Sequence, residues 1–526
     1  MNTFHNPILK GFYPDPSVCR VGEDYYLVTS SFCYYPGIPV FHSRDLVHWE
    51  QIGHAIHRKE QLDYDNCAHS GGLWAPTIRY HQGTFYVINT LVSSDSEEAT
   101  GSVCRNYIVT TKDIRGDWSK AVFIEGADGI DPSLFFDEDG RIWYTSNRIP
   151  EKELWKGHKE IYLVELDPVT FQIRGEKTVL WDGAVSNSNY IEAPHIYKKD
   201  GWYYLLVAEG GTYTDHSVMI ARSRSVKGPY ELCSRNPIVT HRHRKLASDI
   251  SVTGHADIIE TQNHEWWMVL LAVRPYGGFL YNLGRETFLV PITWAEDGWP
   301  IIDNEDGLVH ETERMPELPV HVAPGFGPND NFEGEELSLI WNMLRHSKEE
   351  FYSLKERRGY LRIYAQSNEI TQNCTSSFIG RRQQHKCFYA ETAMEACLEN
   401  ETEEAGLVVM QNHRYHFQFL LSKAGHRQQL KLYEVRDGQQ KLLMAKEIEA
   451  VSRIYLGVLG AEENYSFYFG CQEKEKELFY GGADGSILSS TVAGGFVGTY
   501  IGMYATSHGK ETKAYADFDW FEYYEI

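Results

Sequence analysis

The stretch PDPSVCRVGEDYYLVTSS, residues 14–31, places an aspartate between two prolines and continues with a short apolar run, a polar turn and an aromatic run. The same order recurs four times, in WAPTIRYHQGTFYVINT (74–90), IDPSLFFDEDGRIWYTSN (130–147), EAPHIYKKDGWYYLLVAE (192–209) and HADIIETQNHEWWMVLLA (255–272). Each segment predicts a β-hairpin, because two runs of β-branched and aromatic residues flank a turn rich in Gly, Asp or Asn. A supersecondary unit that recurs in this way indicates a repeat architecture.

The repeat has a nearly constant period. The second residue of each segment is Asp15, Ala75, Asp131, Ala193 or Ala256, so successive units are 56 to 63 residues apart. In every unit the residue seven places further on lies in the polar turn: Gly22, Gln82, Glu138, Asp200 and Asn263. Five units, each long enough for four short strands, predict a five-bladed β-propeller. The alternative, five unrelated hairpins in a sandwich, does not account for the constant spacing.

The pattern changes after MPELPVHVAPGFGP, residues 315–328, which is rich in Pro and Gly. We predict a propeller domain over residues 1–315, a linker over 316–328 and a second domain over 329–526. The second domain has runs with strand-like alternation, among them GYLRIYA, HRYHFQFLLS, QQLKLYEV and the closing YADFDWFEYYEI. The predicted fold class is therefore all-β, a propeller followed by a C-terminal β-sandwich.

Charge and composition exclude several classes of function. The formal net charge of −23 opposes binding to nucleic acids and to anionic membranes. No stretch approaches the 18 apolar residues of a membrane-spanning helix, and the N-terminus lacks the pattern of a signal peptide. Nine scattered cysteines without a C-x-x-C pair predict reduced thiols and a cytoplasmic protein. A neutral small-molecule substrate fits best.

Three carboxylates take nearly equivalent places in the repeat. Asp15 and Asp131 share one register, each followed by Pro-Ser, and Glu192 lies one place earlier in its unit. Trp74 and His255 take that earlier register in units two and five. A single Asp-Pro is most often a turn residue, but three carboxylates at matched places would face one channel. A shift of one residue reverses the facing of a side chain, so Glu192 requires a bulge or a strand end.

This set of carboxylates predicts glycoside hydrolysis. That reaction needs one protonated acid for the leaving oxygen and one ionised carboxylate. A third carboxylate raises the pKa of the acid by like-charge repulsion. His255 is open to three interpretations: a core histidine, a hydrogen-bond partner of the sugar, or a ligand of an ion on the propeller axis. Trp74 is equally a core residue or a wall on which a sugar stacks.

Longer motifs surround these residues: NPILKGFYPDPSVCRVGEDYYLVTSSF, HSRDLVHWE, GLWAPTIRYHQGTFYVINT, GIDPSLFFDEDGRIWY and IEAPHIY. Together they resemble glycoside hydrolase family 43, in its two-domain β-xylosidase and α-L-arabinofuranosidase branches, over essentially the whole chain. The resemblance implies a catalytic propeller, an accessory sandwich of jelly-roll or concanavalin-like form, and hydrolysis with inversion. It implies no required cofactor, leaves open a calcium ion near His255, and is compatible with a homo-oligomer.

The resemblance also implies roles for the matching residues. Asp15 in YPDPS matches the general base, Asp131 in GIDPS the aspartate that tunes and orients the acid, and Glu192 in YIEAPH the general acid. The other matches line or wall the sugar subsite: His255 in TGHAD, Arg285 in LGRETF, Phe32, Trp74, and Phe496 at the tip of a loop in GGFVGTY.

The expected substrate is a small xylooligosaccharide, from whose non-reducing end an exo-acting enzyme releases xylose by cleaving a β-1,4 bond. An arabinoside is the alternative, because SFCYYPG replaces the TFEWFPG-like loop of plain xylosidases and HSGGLWAPTIRYH resembles the mixed-specificity branch. The protein would then be an α-L-arabinofuranosidase or an enzyme with both activities. A retaining fructan-type enzyme would show Arg-Asp-Pro where this chain has GIDPS. A non-catalytic sugar-binding propeller would lack at least one of the three acids.

Overall fold

The computed structural model describes residues 2–65, 67–93, 103–183, 188–244, 248–346 and 350–526. These residues contain strands and two single-turn helices, Gly485–Leu488 and Ser490–Ala493. Five antiparallel sheets form a β-propeller and two larger sheets form a β-sandwich, which confirms the predicted all-β fold class. In the described part of the chain, no helix has the length and apolar character needed to span a membrane.

The blades follow one another along the chain, and within each blade the strands pair in sequence order. Blades one and two consist of Ser17–Val21, Asp24–Val28, Gly37–Ser43 and Glu50–Ile56, and of Gly72–His81, Thr84–Ser93, Val103–Thr111 and Val122–Phe123. Blade three consists of Ser133–Phe136, Ile142–Arg148, Glu160–Leu166 and Ile173–Trp181. Blade four consists of Glu192–Lys199, Trp202–Glu209, Ser217–Ser223 and Glu231–Leu232, with Val239–Thr240 beside its third strand, and blade five of Ser251–Glu260, Trp266–Val273, Glu286–Trp294 and Pro300–Ile302.

Local sequence explains the hairpins that begin blades two and four. Gln82-Gly83 and Asp200-Gly201 form the two-residue turns, and all four residues have positive φ. This is the backbone of a type I′ turn, whose twist matches the right-handed twist of the paired strands. The polar turn positions found in the repeat thus lie where the chain reverses between the first two strands of a blade.

The N-terminus closes the ring of blades. Strand Thr3–His5 pairs with Thr312–Arg314, which follows blade five. The side chain of Asn6 donates to the carbonyl of Leu289 and accepts from its N–H, both at 2.9 Å. Because Leu289 lies in the third strand of blade five, the start of the chain is held at the last blade. The first and last blades consequently share one hydrophobic cluster.

The C-terminal domain consists of two antiparallel sheets. One contains Asn329–Asp330, Tyr352–Ser353, Leu361–Tyr364, Cys387–Cys397, Ile454–Ala461, Asn464–Gln472, Glu475–Asp484 and Tyr515–Glu525. The other, which we call the interface sheet, contains in spatial order Gln439–Ile448, Arg427–Arg436, Tyr415–Ala424, Glu404–Asn412, Tyr500–Thr506, Phe378–Arg382, Asn342–Leu344 and Tyr34–Tyr35. The segment before this domain, residues 315–328, has neither strand nor helix.

The middle of the interface sheet is buried on both faces, whereas its edge strand Gln439–Ile448 is largely exposed. In its strand Glu404–Asn412, Leu407 and Val409 pack in the sandwich core, whereas Val408 and Met410 pack with residues of the propeller. Successive side chains of a strand point to opposite faces of the sheet. The sandwich therefore uses one face of this sheet for its own core and the other to cover the propeller.

The loop SFCYYPG of blade one belongs to this contact. Its residues Tyr34–Tyr35 form the edge strand of the interface sheet, and the Tyr34 ring stacks on Tyr500 with 3.7 Å between centroids. Nearby, the buried side chain of Arg382 donates to the carbonyl of Phe12 at 2.7 Å and to Asn342 Oδ1 at 2.8 Å. A buried guanidinium needs such partners because an unpaired buried charge is costly. The two domains are thus joined by backbone pairing as well as by packing.

Substitutions on the interface sheet test this shared core. Leu420 is fully buried between the two domains, whereas Leu442, two strands away, is 49% exposed. We expect Leu420→Ala to lower the free energy of unfolding by about 2–5 kcal/mol, because it leaves a cavity. Leu442→Ala should change it by less than about 0.5 kcal/mol. Urea unfolding followed by tryptophan fluorescence measures both, and equal losses would contradict a shared core.

Candidate active site

Every blade has a residue with left-handed backbone, either two places before its inner strand or within that strand. These residues are Asp15 (φ 55°), Ala75 (φ 44°), Asp131 (φ 56°), Ala193 (φ 51°) and His255 (φ 48°). For residues other than glycine this conformation is uncommon and costs about 1–2 kcal/mol. Strain of this kind concentrates where function requires a particular geometry. Its repetition in all five blades marks one end of the central channel as the place to look for a site.

The fifth unit has a different register from the one that we predicted. The sequence pattern pointed to Ala256, with His255 level with Glu192, but the left-handed residue is His255. The turn of blade five spans five residues, Thr261–Glu265, so an offset of seven residues ends inside this turn from either starting point. The spacing could not distinguish the two registers. His255 therefore stands level with the two aspartates of blades one and three.

A β-bulge brings Glu192 to the same channel. Glu192 pairs with Ala208 and His195 with Leu206, so three steps along the inner strand oppose two steps along its partner. A bulge bends the strand and redirects its side chains. The charge of Glu192 consequently acts on Asp131, although Glu192 lies one place earlier in its repeat. The sequence argument required a bulge or a strand end at this point, and the bulge is present.

Asp15 is a buried carboxylate that is held in its ionised form. Its Oδ1 accepts a hydrogen bond from Arg285 Nη1 at 2.7 Å, and its Oδ2 accepts one from Ser30 Oγ at 2.5 Å. His255 Nδ1 lies 3.6 Å from Oδ1. Burial alone would raise the pKa of Asp15, but these three partners outweigh it and hold the pKa below its ordinary value. Asp15 is therefore ionised at neutral pH.

Asp131 and Glu192 behave in the opposite way. Burial, the charge of Glu192 and the charge of Asp15 raise the pKa of Asp131 well above its usual range. Burial raises the pKa of Glu192 to about 7, with the charge of Lys159 opposing the shift and that of Asp15 assisting it. Like charges that share a site cannot all ionise together. Asp131 and Glu192 therefore retain a proton between them at neutral pH, whereas Asp15 beside them has none.

His255 bridges the aspartates of blades one and three. Its Nδ1 lies 3.6 Å from Asp15 Oδ1 and 4.0 Å from Asp131 Oδ2. Burial lowers the pKa of His255 although Asp15 opposes the shift, so the ring is neutral at neutral pH. The preceding Gly254 has no side chain, and a Cβ at this position would lie 2.4 Å from the His216 ring. Only glycine allows that second imidazole to pack behind the channel.

Three aromatic rings stand beside the carboxylates. The ring centroids of Phe32, Trp74 and Phe496 are 5.3 to 6.3 Å apart. The guanidinium carbon of Arg285 lies 5.5 Å from the centroid of Phe32 and 5.8 Å from that of Phe496. Aromatic faces of this kind offer an apolar surface to the C–H face of a sugar. All the residues that the sequence marked as a site are thus brought together, and their roles stay predictions.

Phe496 is supplied by the sandwich domain and is fixed by the propeller. Its N–H donates to Ser70 Oγ at 2.9 Å, while the carbonyl of Ser70 accepts from Trp74 Nε1 at 2.8 Å. The same loop is tied to the propeller where Tyr281 N–H donates to Ser489 Oγ at 2.9 Å. A cavity of about 280 Å³ lies beside it, lined by residues of both domains, among them Arg285 and Phe496. One wall of the site therefore belongs to the second domain.

Several residues that shape the site were missed by the sequence argument: Ser30, Ser70, Lys159, Arg79 and His216. Ser30 donates to Asp15 and accepts from the N–H of Ala75 at 2.6 Å, so it connects blades one and two. Lys159 acts on Glu192 only through its charge. Several of these contacts join different parts of the molecule, such as Ser30 with Ala75 of the next blade and Ser70 with Phe496 of the second domain.

Comparison with known proteins agrees with this geometry. The sequence profile of Glycosyl hydrolases family 43 matches residues 4–300, and that of the Beta xylosidase C-terminal Concanavalin A-like domain matches residues 329–524. The chain is 38% identical to a xylosidase/arabinosidase of Butyrivibrio fibrisolvens, over 99% of both chains. It is also 38% identical to a non-reducing end alpha-L-arabinofuranosidase of Bacteroides ovatus, over 99% of this chain and 94% of that one.

A solved structure shows the same architecture. The xylan beta-1,4-xylosidase of Bacillus halodurans superposes with a TM-score of 0.94 at 35% sequence identity, covering 99% of this chain and 100% of that one. The two profiles together account for both domains, and the relatives extend over nearly the whole length. The chain is a glycosidase that belongs to glycosyl hydrolase family 43 and carries that family's concanavalin A-like C-terminal domain.

Proposed function

We propose that this protein is an exo-acting, inverting β-xylosidase that releases xylose from the non-reducing end of β-1,4-xylooligosaccharides. The observation that carries the proposal is the contrast between two carboxyl groups of one channel. Arg285 keeps Asp15 ionised, while burial raises the pKa of Glu192 to about 7, so that Glu192 is protonated below this pH. Inverting hydrolysis requires one base and one acid of this kind. A relative named beta-xylosidase in Bacillus subtilis, 32% identical over 99% of both chains, supports the substrate class.

The reaction follows from these two ionisation states. Glu192 donates its proton to the glycosidic oxygen as the bond between that oxygen and the anomeric carbon breaks. Asp15 takes a proton from a water molecule, whose oxygen bonds to the anomeric carbon from the opposite face. Asp131 lies beside Glu192, whose charge together with burial raises the pKa of Asp131. Arg285 fixes Asp15 through the hydrogen bond from its Nη1 to Asp15 Oδ1 at 2.7 Å.

The shape of the channel favours exo action. Arg79 closes it below the acids, where its guanidinium donates to Asp257 Oδ2 at 2.8 Å. Phe496 and the loop that carries it stand at the side of the mouth. A channel closed at its floor accepts the end of a sugar chain rather than its middle. This geometry supports cleavage at the non-reducing end, one residue at a time.

A second candidate is an α-L-arabinofuranosidase, or an enzyme with both activities. Two relatives at 38% identity carry names that include arabinosidase or arabinofuranosidase. A furanose and a pyranose differ in ring shape, whereas the acid and the base act on each in the same way. The homo-oligomer and the cytoplasmic location stay predictions.

Leaving-group chemistry distinguishes the acid from the base. We expect Glu192→Ala to lower kcat on xylobiose by about 10²–10⁴-fold. The same variant should lower kcat much less on dinitrophenyl β-xyloside, because that leaving group needs no proton. Asp15→Ala should lose about the same factor on both substrates, because water must still be activated. Steady-state kinetics with both substrates measures this, with circular dichroism as the control for folding. Equal losses for the two variants on the activated substrate would contradict the assignment.

The pH profile tests the environment of Asp15. Asp15 must be ionised, so kcat/KM falls as pH falls through its pKa, and it falls again above about pH 7 as Glu192 loses its proton. The Ser30 hydrogen bond lowers the pKa of Asp15. We expect Ser30→Ala to move the acid limb to higher pH and to leave the alkaline limb in place.

Ser31→Ala is the matched control for this experiment. The Ser31 hydroxyl accepts from the N–H of Ile38 at 2.9 Å, whereas the two oxygens of Asp15 accept from Arg285 and Ser30. Its acid limb should coincide with that of the wild type. An acid limb that does not move in Ser30→Ala, or that moves equally in both variants, would overturn the role given to Ser30.

A substrate series tests specificity and exo action. We expect xylose to be the first product from xylobiose and xylotriose, with kcat/KM values for nitrophenyl β-xyloside above those for nitrophenyl α-L-arabinofuranoside. Product analysis by anion-exchange chromatography measures both. A higher kcat/KM on the arabinofuranoside would favour the second candidate. Xylobiose released from the interior of long xylan chains, without free xylose, would contradict exo action.

A further inference from the structure

A second polar layer fills the propeller axis below the acids. It is formed by the residues that follow the left-handed positions by two places: Ser17, Thr77, Ser133, His195 and Asp257. The side chains meet across the axis, since Ser17 Oγ donates to Asp257 Oδ2 at 2.7 Å and Ser133 Oγ lies 3.0 Å from His195 Nδ1.

Arg79 reaches this layer from the inner strand of blade two. Its Nη1 donates to Asp257 Oδ2 at 2.8 Å and to Ser17 Oγ at 3.1 Å. Its Nη2 lies 2.9 Å from His195 Nδ1 and 3.4 Å from Asp257 Oδ1. One guanidinium thus connects the inner strands of blades one, four and five from its place on blade two.

Asp257 is saturated with donors. Besides the two nitrogens of Arg79, it accepts from Ser17 Oγ, from the N–H of Val18 at 3.1 Å and from Tyr197 OH at 2.5 Å. Burial alone would raise the pKa of Asp257, but Arg79 and the other partners hold it far below its usual range. The carboxylate is ionised and has no oxygen lone pair left for a further cation.

His195 is held in one tautomer. A guanidinium can only donate hydrogen bonds, so His195 Nδ1 must accept from Arg79 and carries no proton. The proton of the neutral ring is therefore on Nε2. Burial lowers the pKa of His195 to about 3, with Asp257 opposing the shift and the charges of Arg79 and His255 assisting it. A neutral, oriented imidazole thus lies beneath the layer that contains His255.

The calcium ion that the sequence left open near His255 does not fit these residues. Calcium takes six to eight oxygen ligands. Asp15 is already paired with Arg285 at 2.7 Å, and Asp257 with Arg79 at 2.8 Å. Across the described ranges, no group of three or more His, Cys, Asp and Glu residues is arranged to hold a metal ion. A divalent ion on this axis would also meet the positive charge of a guanidinium.

We propose that Arg79 is the resident cation of the propeller axis. As a positioning residue, it neutralises Asp257, fixes His195 beneath His255 and so keeps the floor on which the layer of catalytic carboxylates rests. It occupies the place where an axial metal ion would otherwise balance this charge. Hydrolysis by the wild-type protein is then independent of added or removed divalent cations.

Replacement of Arg79 tests the proposal through chemical rescue. Arg79→Ala leaves Asp257 without its cation, so we expect kcat to fall by about 10²-fold, in the range seen when a reacting group is misplaced from a distance. Millimolar guanidinium or calcium should raise the kcat of Arg79→Ala at least tenfold, whereas neither should raise the wild-type kcat. Arg44→Ala is the control, because Arg44 forms an exposed ion pair with Glu23. A loss that no cation restores would overturn the proposal, since a purely structural role predicts that result.

Histidine spectra and a calcium titration test the proposal without Arg79→Ala and without measuring turnover, and a chelator experiment adds a test by activity. In ¹⁵N-histidine-labelled wild-type protein, one histidine should show a protonated Nε2 and an unprotonated Nδ1, unchanged down to pH 5. Arg79→Lys, which cannot reach with two nitrogens, should alter its chemical shifts. Calorimetric titration of the wild type with calcium should show no binding, and a chelator should leave activity unchanged.

The proposal about Arg79 depends on the proposed function only where hydrolysis is the measured quantity. The experiments can therefore fail for one of the two without failing for the other. Failure to hydrolyse xylosides would overturn the proposed substrate, whereas the histidine spectrum and the calcium titration would still report on Arg79. Stoichiometric calcium binding to the wild type, or activity abolished by a chelator and restored by calcium, would overturn the proposal. So would a histidine spectrum that is identical in the wild type and in Arg79→Lys.

Discussion

The buried ion pair between Asp15 and Arg285, 2.7 Å long, connects the parts of this protein that must meet for a site to exist. Asp15 precedes the first blade and Arg285 enters the third strand of the last one, so the pair lies across the closure of the ring. The backbone of Tyr13 reinforces it, donating to the carbonyl of Arg285 at 3.1 Å. Arg285 also lies 3.4 Å from the carbonyl of Phe496 in the second domain. A buried pair needs partners for its remaining groups. Ser30 Oγ donates to the second oxygen of Asp15, whereas Arg285 Nε has no hydrogen-bond partner among the described residues.

This dependence explains why the sandwich domain is not a separate module. The strand Glu404–Asn412 of its interface sheet is buried on both faces, with Val408 and Met410 against the propeller, and the sheet accepts Tyr34–Tyr35 of blade one as an edge strand. Its Phe496 completes the aromatic wall beside the acids. The three carboxylates of the site all belong to the propeller, yet the shape of the sugar site depends on the second domain.

The sequence predicted the propeller, the sandwich and the three carboxylates from local and repeated features, whereas Phe32, Arg285 and Phe496 were predicted only through the family resemblance. Hairpin turns such as Asp200-Gly201, and the Asp-Pro-Ser that units one and three share, can be recognised within single units. The register of blade five was wrong, because a five-residue turn accommodates either spacing. Ser30 and Arg79 were missed, because Ser30 meets Asp15 and Ala75, and Arg79 meets Asp257 of blade five, only in the folded propeller.

Inversion at the anomeric carbon is the central consequence of placing an ionised Asp15 and a protonated Glu192 in one channel. A proton NMR time course of aryl β-xyloside hydrolysis observes it directly, since the anomeric signals of the first-formed xylose appear before mutarotation mixes them. The account predicts α-xylose as the first product, with β-xylose growing in later. β-Xylose as the first product would contradict it, because retention requires a covalent intermediate and a carboxylate that acts as nucleophile.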